Sequence, residues 1–184
     1  KWLRRWTAEE NRHGDVLNRY LYLCGRIDMR QFEASTQFLI ADGFDNLAAT
    51  DPYKNFVYTS FQELATNISH RRVASIAKQE GNNMLSKLCG LVAADEARHA
   101  KAYKLFVSKI FELDPSEMMI AFETMMKRKI LMPSQCLKQL GSELNIFSNF
   151  SDAAQRIGVY TAHDYIDIMQ SLIDEWKIET MTGF

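Results

Sequence analysis

Two Glu-x-x-His pairs occur in the chain, Glu10 with His13 and Glu96 with His99. A carboxylate and an imidazole three residues apart point to the same side of an α-helix, so together they can bind one metal ion. Each pair stands in the middle of an apolar helical stripe, at positions where core side chains are expected. Burying either carboxylate without a counter-charge would cost several kcal/mol. The two pairs therefore predict a buried cation.

An isolated Glu-x-x-His on a solvated helix face needs no metal, because charged residues are mostly exposed. Two such pairs, both in register with apolar stripes, favour the metal site. Carboxylate-bridged di-iron and di-manganese bundles use one Glu-x-x-His from each of two helices and one lone glutamate from each of two more. The chain should therefore supply further glutamates as ligands.

Glu63 is the first candidate for a lone glutamate ligand. It lies in a helical segment that is apolar nearly all round, which indicates that neighbouring elements cover it. The alternative is an exposed glutamate on a surface helix, which is the usual state of this residue type. The apolar pattern favours burial.

The composition indicates a single domain over residues 1–184. Of the 184 residues, 47% are hydrophobic, which is enough for one core. The formal net charge is -1, so the chain as a whole does not attract nucleic acid. Its apolar runs are too short to span a bilayer. We therefore expect a soluble protein with no nucleic-acid partner and no membrane span.

The spacing of apolar residues predicts an all-α fold, because the long segments follow helical periodicity instead of the period-2 alternation of strands. Gly25 and Asp28 mark the end of one helix and the start of the next. Thr161 and Asp164 form a capping-box pattern. The predicted elements are helices from about Trp2 to Cys24, Met29 to Ala41, Tyr53 towards Arg72 or Gln79, Asn83 to Leu113, Pro115 to Pro133 and Thr161 to Glu179, with a loop over Gly43–Pro52 and an irregular segment with short helical pieces over Ser134–Gly158.

Four stretches, in this order, resemble the soluble plant-type acyl-[acyl carrier protein] desaturases: WTAEENRHGDVLNRYLYLCGRIDMRQ, DPYKNFVYTSFQELATNISH, CGLVAADEARHAKAYKLFVSKIFELDP and AAQRIGVYTAHDY. The resemblance covers nearly the whole chain, with EENRHG and DE-x-RH at the family's metal positions. It implies a ferritin-like di-iron helix bundle. It also implies insertion of a cis double bond into a saturated acyl chain on acyl carrier protein, with dioxygen and two electrons from ferredoxin. A homodimer and a location in the plastid stroma or bacterial cytoplasm are implied as well.

The resemblance implies roles for the metal-binding residues. Glu10 and Glu96 correspond to carboxylates that bridge two iron ions, and His13 corresponds to a ligand of one iron. Glu63 and His99 correspond to terminal ligands of the other iron. Oxygen-rich ligands with one imidazole per metal suit the activation of dioxygen, because they leave coordination positions open.

Two residues outside the ligand set also have implied roles. Thr66, one turn after Glu63, corresponds to a catalytic residue whose hydroxyl hydrogen-bonds a water or oxygen ligand of the cluster. The alternative is a hydroxyl bonded to a carbonyl of its own helix. Asp95 is expected to orient a ligating imidazole from outside the ligand set.

The loop from Asp45 to Phe56 corresponds to part of the family's acyl tunnel, which makes four residues substrate-binding: Asn46, Ala48, Asn55 and Phe56. Phe56 matches the plant members. The other three stand where those members commonly have proline, threonine and glycine. The resemblance therefore does not imply the acyl chain length or the double-bond position.

The family takes a sixth ligand, a second lone glutamate, from a helix upstream of EENRHG. Glu33 and Glu143 are poor substitutes, since the first lies in the short second helix and the second in the irregular segment. We therefore expect this chain to be part of a longer protein, incomplete at both ends, that holds five of six protein ligands.

Two other functions fit the same predicted bundle. One is another di-iron oxidase or hydroxylase, since the ligands do not decide between removing two hydrogens and adding oxygen. The other is a non-catalytic ferritin-like iron-binding subunit. Turnover with acyl carrier protein would exclude the non-catalytic subunit. The products would distinguish a desaturase from another oxidase or a hydroxylase.

Five basic residues are candidates for a surface that docks an acidic carrier protein or ferredoxin: Lys127, Arg128, Lys129, Arg71 and Arg72. The alternative for each of them is a charge on a solvated helix end. The two remaining histidines, His70 and His163, have no partner motif. We therefore predict that they are surface or helix-cap residues.

Overall fold

The computed structural model describes residues 1–46, 48, 50–139 and 146–182. In these ranges the chain forms α1 (Trp2–Cys24), α2 (Met29–Asp42), α3 (Pro52–Gln79), α4 (Asn83–Leu113), α5 (Pro115–Arg128), a 3-10 turn (Pro133–Cys136), α6 (Ile146–Arg156), α7 (Ala162–Glu175) and a 3-10 turn (Ile178–Thr180). No β-strand occurs in the described ranges, so the all-α prediction is confirmed there.

The helix ends follow local signals in the sequence. Gly25 takes a left-handed conformation with φ 63° and ends α1. The Asp28 carboxylate accepts hydrogen bonds from two backbone N–H groups in the first turn of α2. Thr161 and Asp164 form the predicted capping box at the start of α7. The predicted bounds of α1 and α4 are confirmed, and α2 is one residue longer than predicted.

Two predicted helix ends in the second half of the chain are wrong. α5 ends at Arg128, before the predicted stop at proline, because Lys129 takes a positive φ of 62° that leaves the helix. α7 ends at Glu175, because Lys177 takes a positive φ of 54° before the last 3-10 turn. The segment predicted to be irregular with short helical pieces contains α6, a helix of 11 residues. Residues 140–145, which include Glu143, lie outside the described ranges.

The core lies around α3 and α4, which pack against each other along most of their lengths. α5 and α7 pack against α3 from the outside. The side chains that are fully buried between these helices include Phe61, Met118, Met125 and Leu172. α1 packs against α4. Two central helices and one outer helix therefore carry the predicted ligands.

A partly buried ion pair joins α3 to α7. The Arg72 guanidinium donates to both oxygens of Asp164, over 2.6 and 2.7 Å. This pairing, opposed only in part by burial, lowers the pKa of Asp164 to about 2. The prediction that Arg72 contributes to a docking surface is therefore wrong, because its charge is already paired. The other four basic residues of that group are exposed: Arg71, Lys127, Arg128 and Lys129.

Candidate metal centre

Four of the predicted ligands converge between α1, α3 and α4. Glu10, Glu63, Glu96 and His99 each offer one ligand atom, and these atoms all lie within 4.8 Å of one another. Glu63, Glu96 and His99 are 2%, 3% and 1% exposed, so the predicted burial of Glu63 is confirmed. Three charged or ionisable groups with so little exposure need partners, and here they have only each other and α1.

His13 joins the group from α1. Its Nδ1 atom lies 3.3 Å from Glu96 Oε1 and 3.9 Å from Glu10 Oε1. The His99 Nδ1 atom lies 2.9 Å from Glu10 Oε1 and 3.2 Å from Glu63 Oε2. All five predicted ligand residues therefore surround one site, and both imidazoles direct Nδ1 towards its carboxylates.

Two polar atoms at the centre of this site have close neighbours but no well-aligned hydrogen bond: Glu10 Oε1 and His13 Nδ1. Both are buried, and their nearest polar atoms are His99 Nδ1, 2.9 Å from Glu10 Oε1, and Glu96 Oε1, 3.3 Å from His13 Nδ1. Buried polar atoms are nearly always satisfied, so such exceptions need a cause. A bound cation would satisfy both atoms, and carboxylates with imidazoles are ligands that iron and manganese accept. The residues present therefore fit a metal cluster.

The pKa shifts of the two histidines in the site also fit a bound cation. Burial alone would lower the pKa of His99, but hydrogen bonds to Glu10, Glu63, Glu96 and Glu9 raise it to about 12. Burial would lower the pKa of His13 as well, and hydrogen bonds to Glu96 and Asp95 raise it instead. The His99 imidazole therefore carries a proton beside the carboxylates, at the place where a cation would fit.

The pKa values of the two buried carboxylates, Glu63 and Glu96, shift in opposite directions. Burial raises the pKa of Glu63 to about 8; a hydrogen bond to His99 opposes this rise, while Glu96 and Glu10 add to it. Burial also acts to raise the pKa of Glu96, but hydrogen bonds from His13 and His99 hold it below its ordinary value. In the metal-free site Glu63 is thus the carboxyl that retains a proton near neutral pH.

Two acids outside the ligand set contact the Nε2 atoms of the imidazoles, on the side away from the metal-binding carboxylates. Asp95 Oδ2 lies 3.1 Å from His13 Nε2, as the sequence prediction for Asp95 requires. Glu9 Oε2 lies 2.8 Å from His99 Nε2, a contact that the sequence analysis missed. The signal was available, because Glu9 precedes Glu10 in EENRH just as Asp95 precedes Glu96 in DEARH.

Trp6 is a second residue that the sequence analysis missed. Its indole N–H donates to Glu63 Oε1 over 2.7 Å and so joins α1 to α3. Trp6 also packs edge-on against Tyr103, with ring centroids 5.5 Å apart. The apolar stripe that placed Trp6 one turn before Glu10 was visible in the sequence, but it did not show that the indole would contact a ligand on another helix.

Thr66 and His70 follow Glu63 along α3. The Thr66 hydroxyl donates to the carbonyls of Gln62 and Glu63, over 3.1 and 3.2 Å, which is the alternative left open by the sequence. Its role in catalysis stays a prediction. His70 lies in the interior of α3 and is half-buried, so the prediction of a surface or capping histidine is wrong. Burial lowers its pKa.

The sequence profile of the fatty acid desaturase family matches residues 1–184. The chain belongs to this family. Relatives include a stearoyl-[acyl-carrier-protein] 9-desaturase of Gossypium hirsutum, an acyl-[acyl-carrier-protein] desaturase of Cucumis sativus and a palmitoyl-[acyl-carrier-protein] 4-desaturase of Ophrys sphegodes, all chloroplastic, at 52%, 53% and 52% identity over 182 residues. These alignments cover 99% of the chain and 46% of each relative. The chain therefore spans about half the length of the curated relatives that it matches.

The fold agrees with this membership. A solved structure of DesA2 from Mycobacterium tuberculosis, described as an acyl-ACP desaturase, aligns with a TM-score of 0.70 at 20% identity. The alignment covers 97% of this chain and 65% of that one, and the ferritin-like helical bundle predicted from the sequence is confirmed. None of the helices in the described part of the chain is long and apolar enough to cross a bilayer.

The desaturase-family loop before α3 is closed by the residues in which this chain departs from the plant pattern. The Asn46 amide donates to Asn55 Oδ1 over 3.1 Å, and its own oxygen accepts the Ala48 backbone N–H over 3.1 Å. The Asn55 amide donates to the carbonyls of Ala48 and Asp51. Ala48 is 2% exposed. Two asparagines thus join the described residues of the loop to the first turn of α3.

Phe56 lies between this loop and the metal centre. Its ring centroid is 6.0 Å from that of Tyr103 and 5.8 Å from that of Phe106. Tyr103 stands one turn after His99 on α4 and is 3% exposed. An apolar wall therefore runs from the predicted ligands to the loop, as binding of an acyl chain requires. The assignment of these residues to substrate and metal stays a prediction.

Proposed function

We propose that this chain forms the di-iron portion of an acyl-[acyl carrier protein] desaturase. The proposed reaction is insertion of a cis double bond into a saturated acyl chain, with dioxygen as oxidant and electrons from ferredoxin. The observation that carries the proposal is the convergence of the Glu10, Glu63, Glu96 and His99 ligand atoms within 4.8 Å. Family membership supports it, since the relatives are named for desaturation of acyl-carrier-protein substrates.

In this proposal Glu10 and Glu96 would serve both of two iron ions, His13 would hold one ion, and Glu63 with His99 would hold the other. When bound, the iron pair would supply the activation of dioxygen needed to break an unactivated C–H bond. The protein residues would orient that centre, three of whose four clustered ligand residues are buried. The imidazoles offer Nδ1 to the metals, and the Phe56–Tyr103 wall excludes water from the acyl chain's path.

In this proposal the loop before α3, and not overall sequence identity, determines the preferred acyl chain length. The chain is 52% identical both to a stearoyl 9-desaturase and to a palmitoyl 4-desaturase, so identity does not choose between their substrates. The Asn46–Asn55 pair instead sets how far the loop stands from Phe56. One misfitting methylene in an apolar pocket costs about 1 to 3 kcal/mol, which is roughly tenfold or more in preference.

The proposal also covers partners and location. Acyl carrier protein and ferredoxin are acidic partners for the exposed basic residues at the end of α5, and a homodimer is the proposed assembly. The plastid stroma is the proposed location, because the named relatives are chloroplastic. The bacterial cytoplasm is the alternative.

The test is turnover by the full-length protein loaded with ferrous iron. Stearoyl- and palmitoyl-carrier protein would be supplied with ferredoxin, its reductase and NADPH, and the products analysed by gas chromatography and mass spectrometry. We expect a monounsaturated product, and none from the matched variant Glu96→Ala. A hydroxylated product would favour a hydroxylase. Iron binding without turnover of either substrate would favour an iron-binding subunit.

The loop is tested separately with the variant Asn46→Pro/Asn55→Gly, which restores two plant-like residues. The preference between stearoyl and palmitoyl substrates should shift by about tenfold for each misfit step. Asn67→Ala serves as a control, because Asn67 bonds the Ala93 carbonyl on α4 and not the loop. An unchanged substrate preference in the loop variant would show that another segment determines the preferred acyl chain length.

A further inference from the structure

Two indoles and one phenol lie in contact beside the metal centre. The ring of Tyr103, on α4, packs edge-on against Trp6 and Trp2 of α1, with centroids 5.5 and 6.2 Å apart. Phe56 and Phe106 also contact the Tyr103 ring, with centroids 6.0 and 5.7 Å away. These distances are typical of attractive aromatic pairs. Trp2, Trp6 and Tyr103 therefore form one group, which we call the aromatic cluster.

Each indole of the aromatic cluster contacts a predicted metal ligand. The Trp6 N–H donates to Glu63 Oε1 over 2.7 Å. The Trp2 ring stands edge-on to the His99 imidazole, with centroids 6.1 Å apart. Electrons cross a hydrogen bond or a ring contact of this length readily, because the tunnelling distance is short. The cluster therefore has two short routes for electrons to the metal centre.

Packing alone does not explain why these rings carry polar atoms. Trp2 Nε1 is buried and, among the residues that the structure describes, has no hydrogen-bond partner. A buried N–H without a partner destabilises the fold, and a phenylalanine would fill an apolar site without that cost. Indole and phenol rings also lose a single electron far more readily than a phenyl ring does. The composition of the cluster therefore indicates a role in electron transfer.

Two rings elsewhere in the core provide matched comparisons. Tyr103 is 3% exposed, and Trp176 and Tyr58 are 3% and 4% exposed. The Trp176 N–H donates to the Lys104 carbonyl over 3.2 Å, and the Tyr58 ring contacts Phe44. In the described part of the chain neither ring contacts a predicted metal ligand. These rings therefore separate the effect of position beside the centre from the effect of exposure to solvent.

The activation of dioxygen explains why such a group would be needed. Reduction of dioxygen to water takes four electrons. In the proposed reaction two of them come from ferrous iron and two from the acyl chain as its double bond forms. If dioxygen reacts while no acyl chain is bound, the second pair has no donor, and the nearest side chains are oxidised, including the ligands. An easily oxidised group beside the ligands would supply these electrons instead.

We propose that the aromatic cluster gives single electrons to the oxidised metal centre when no acyl chain is bound, and so protects the ligand residues. This inference rests on the proposed function. At Trp6, one electron passes from the indole to the centre, and the Nε1 proton passes along the hydrogen bond to Glu63 Oε1. Reduced ferredoxin, the electron donor of the proposed reaction, returns the electron to the indole, and Glu63 returns the proton.

The oxidation spreads through the cluster by exchange between neighbouring rings. Tyr103 gives one electron and its phenolic proton to the oxidised, deprotonated Trp6, which returns to its resting form while Tyr103 becomes the oxidised ring. Trp2 gives one electron and its indole proton to Tyr103 in the same way. The three rings thus share the oxidation, so the centre can be reduced more than once before ferredoxin arrives.

The first experiment looks for the oxidised rings by EPR spectroscopy. Full-length protein loaded with ferrous iron is mixed with dioxygen and frozen rapidly, with or without stearoyl-carrier protein. Without the acyl substrate we expect an organic radical signal whose width changes when the protein contains ring-deuterated tryptophan or tyrosine. Stearoyl-carrier protein should lower the yield of this radical, expressed per bound iron, several-fold.

Two double variants test where the radical resides. Trp2→Phe/Tyr103→Phe keeps the hydrogen bond from Trp6 to Glu63, so its signal should respond to deuterated tryptophan but no longer to deuterated tyrosine. Tyr58→Phe/Trp176→Phe removes one phenol and one indole of similar burial away from the centre. The radical yield of this control, per bound iron, should equal that of the wild type.

The second experiment maps covalent damage and needs no variant for its main comparison. The iron-loaded, full-length protein is exposed to dioxygen with catalase, without acyl substrate or ferredoxin, and oxidised residues are identified by peptide mass spectrometry. Oxygen added to Tyr103 should exceed that added to Tyr58 several-fold, and the excess should vanish when zinc replaces iron. Reduced ferredoxin should lower it several-fold. In Trp2→Phe/Tyr103→Phe, oxidation of His99 should rise instead.

The outcomes separate a failure of this inference from a failure of the proposed function. A wild-type protein that binds iron and forms the double bond, but shows no ring radical and equal damage at Tyr103 and Tyr58, would overturn the electron-donating role alone. A radical that still responds to deuterated tyrosine in Trp2→Phe/Tyr103→Phe would do the same. A wild-type protein that binds no iron, or binds iron without consuming dioxygen, would contradict the proposed function together with this inference.

Discussion

α1 and α4 carry the same acid-Glu-x-Arg-His motif but are embedded very differently. In the part of the chain that the structure describes, the 31-residue α4 buries nine side chains and the 23-residue α1 buries one, His13. α4 lies in the core beside α3, whereas α1 rests on the outside of α4. One motif is therefore positioned by packing and the other by polar contacts.

The difference shows that the ligands of one site can be positioned in two ways, by core packing and by hydrogen bonds. Packing fixes the α4 ligands whether or not a metal is present, because the surrounding core is close-packed. α1 is held by hydrogen bonds to the other two helices, in which the Trp6 indole donates, the Glu9 carboxylate accepts and His13 pairs with Asp95. Changes in α4 should therefore act on stability, and changes in α1 should act on the metal.

The largest effect should come from removing either bridging carboxylate. Glu96→Ala on α4 and Glu10→Ala on α1 should both lower bound iron from about two ions to at most about one, and both should abolish turnover. Each bridge would serve both ions, so their unequal burial should not matter here. Iron analysis and product assays measure this, with circular dichroism as the control for folding. Retention of two irons and activity in either variant would contradict the ligand assignment.

The next effect concerns packing. Phe111→Ala on α4 removes a ring that is 6% exposed and packs against Trp176, and it should cost about 3 to 5 kcal/mol of unfolding free energy. Leu17→Ala on the half-buried face of α1 should cost about 1 kcal/mol. Urea unfolding of the metal-free protein measures both. Equal costs would mean that α1 is as firmly packed as α4.

Trp6→Phe should weaken the metal without unfolding the protein. The variant keeps the aromatic packing but removes the N–H that holds Glu63 Oε1, so the ion bound by Glu63 should bind about tenfold more weakly. Trp2→Phe is the matched control, because the Trp2 indole nitrogen is buried without a hydrogen-bond partner. Its metal affinity should stay unchanged. An equal loss in both variants would attribute the effect to packing.

The smallest effect is a change of metal affinity with pH. The pKa of His99 is raised to about 12 and that of Glu63 to about 8, so both groups hold a proton near neutral pH in the metal-free protein. Metal binding must displace these protons, so affinity should rise with pH, and roughly two protons should be released per cluster near pH 7. An indicator-dye titration during Co²⁺ binding counts them. Release of no proton would show that the site is already deprotonated.

Much of the fold could be predicted because the signals are local. Gly25, Asp28 and the Thr161–Asp164 box act within one helical turn, and each lies where the sequence indicates. The ends of α5 and α7 could not be predicted in this way. They depend on positive φ angles at Lys129 and Lys177, a conformation that no residue-type signal marks at a lysine.

The site could be predicted in part for a similar reason. Glu10, Glu63, Glu96 and His99 interrupt apolar stripes, and periodicity reveals such interruptions. Glu9 and Trp6 have ordinary places on α1, and their importance arises from partners 90 and 57 residues away. Arg72 was misjudged for the same reason, since its partner Asp164 is 92 residues away. Pairings between helices leave no periodic trace in either one.

The hydrogen bonds between α1 and α4 also determine an order of events during synthesis of the chain. Glu9 and His13 leave the ribosome 90 and 82 residues before their partners, His99 and Asp95. At about 5 to 20 residues per second, α1 waits roughly 4 to 18 s before α4 has been made. During that interval its histidine and acids have no opposite motif to meet. A metal ion that needs ligands from both helices could therefore bind only after α1 and α4 have come together.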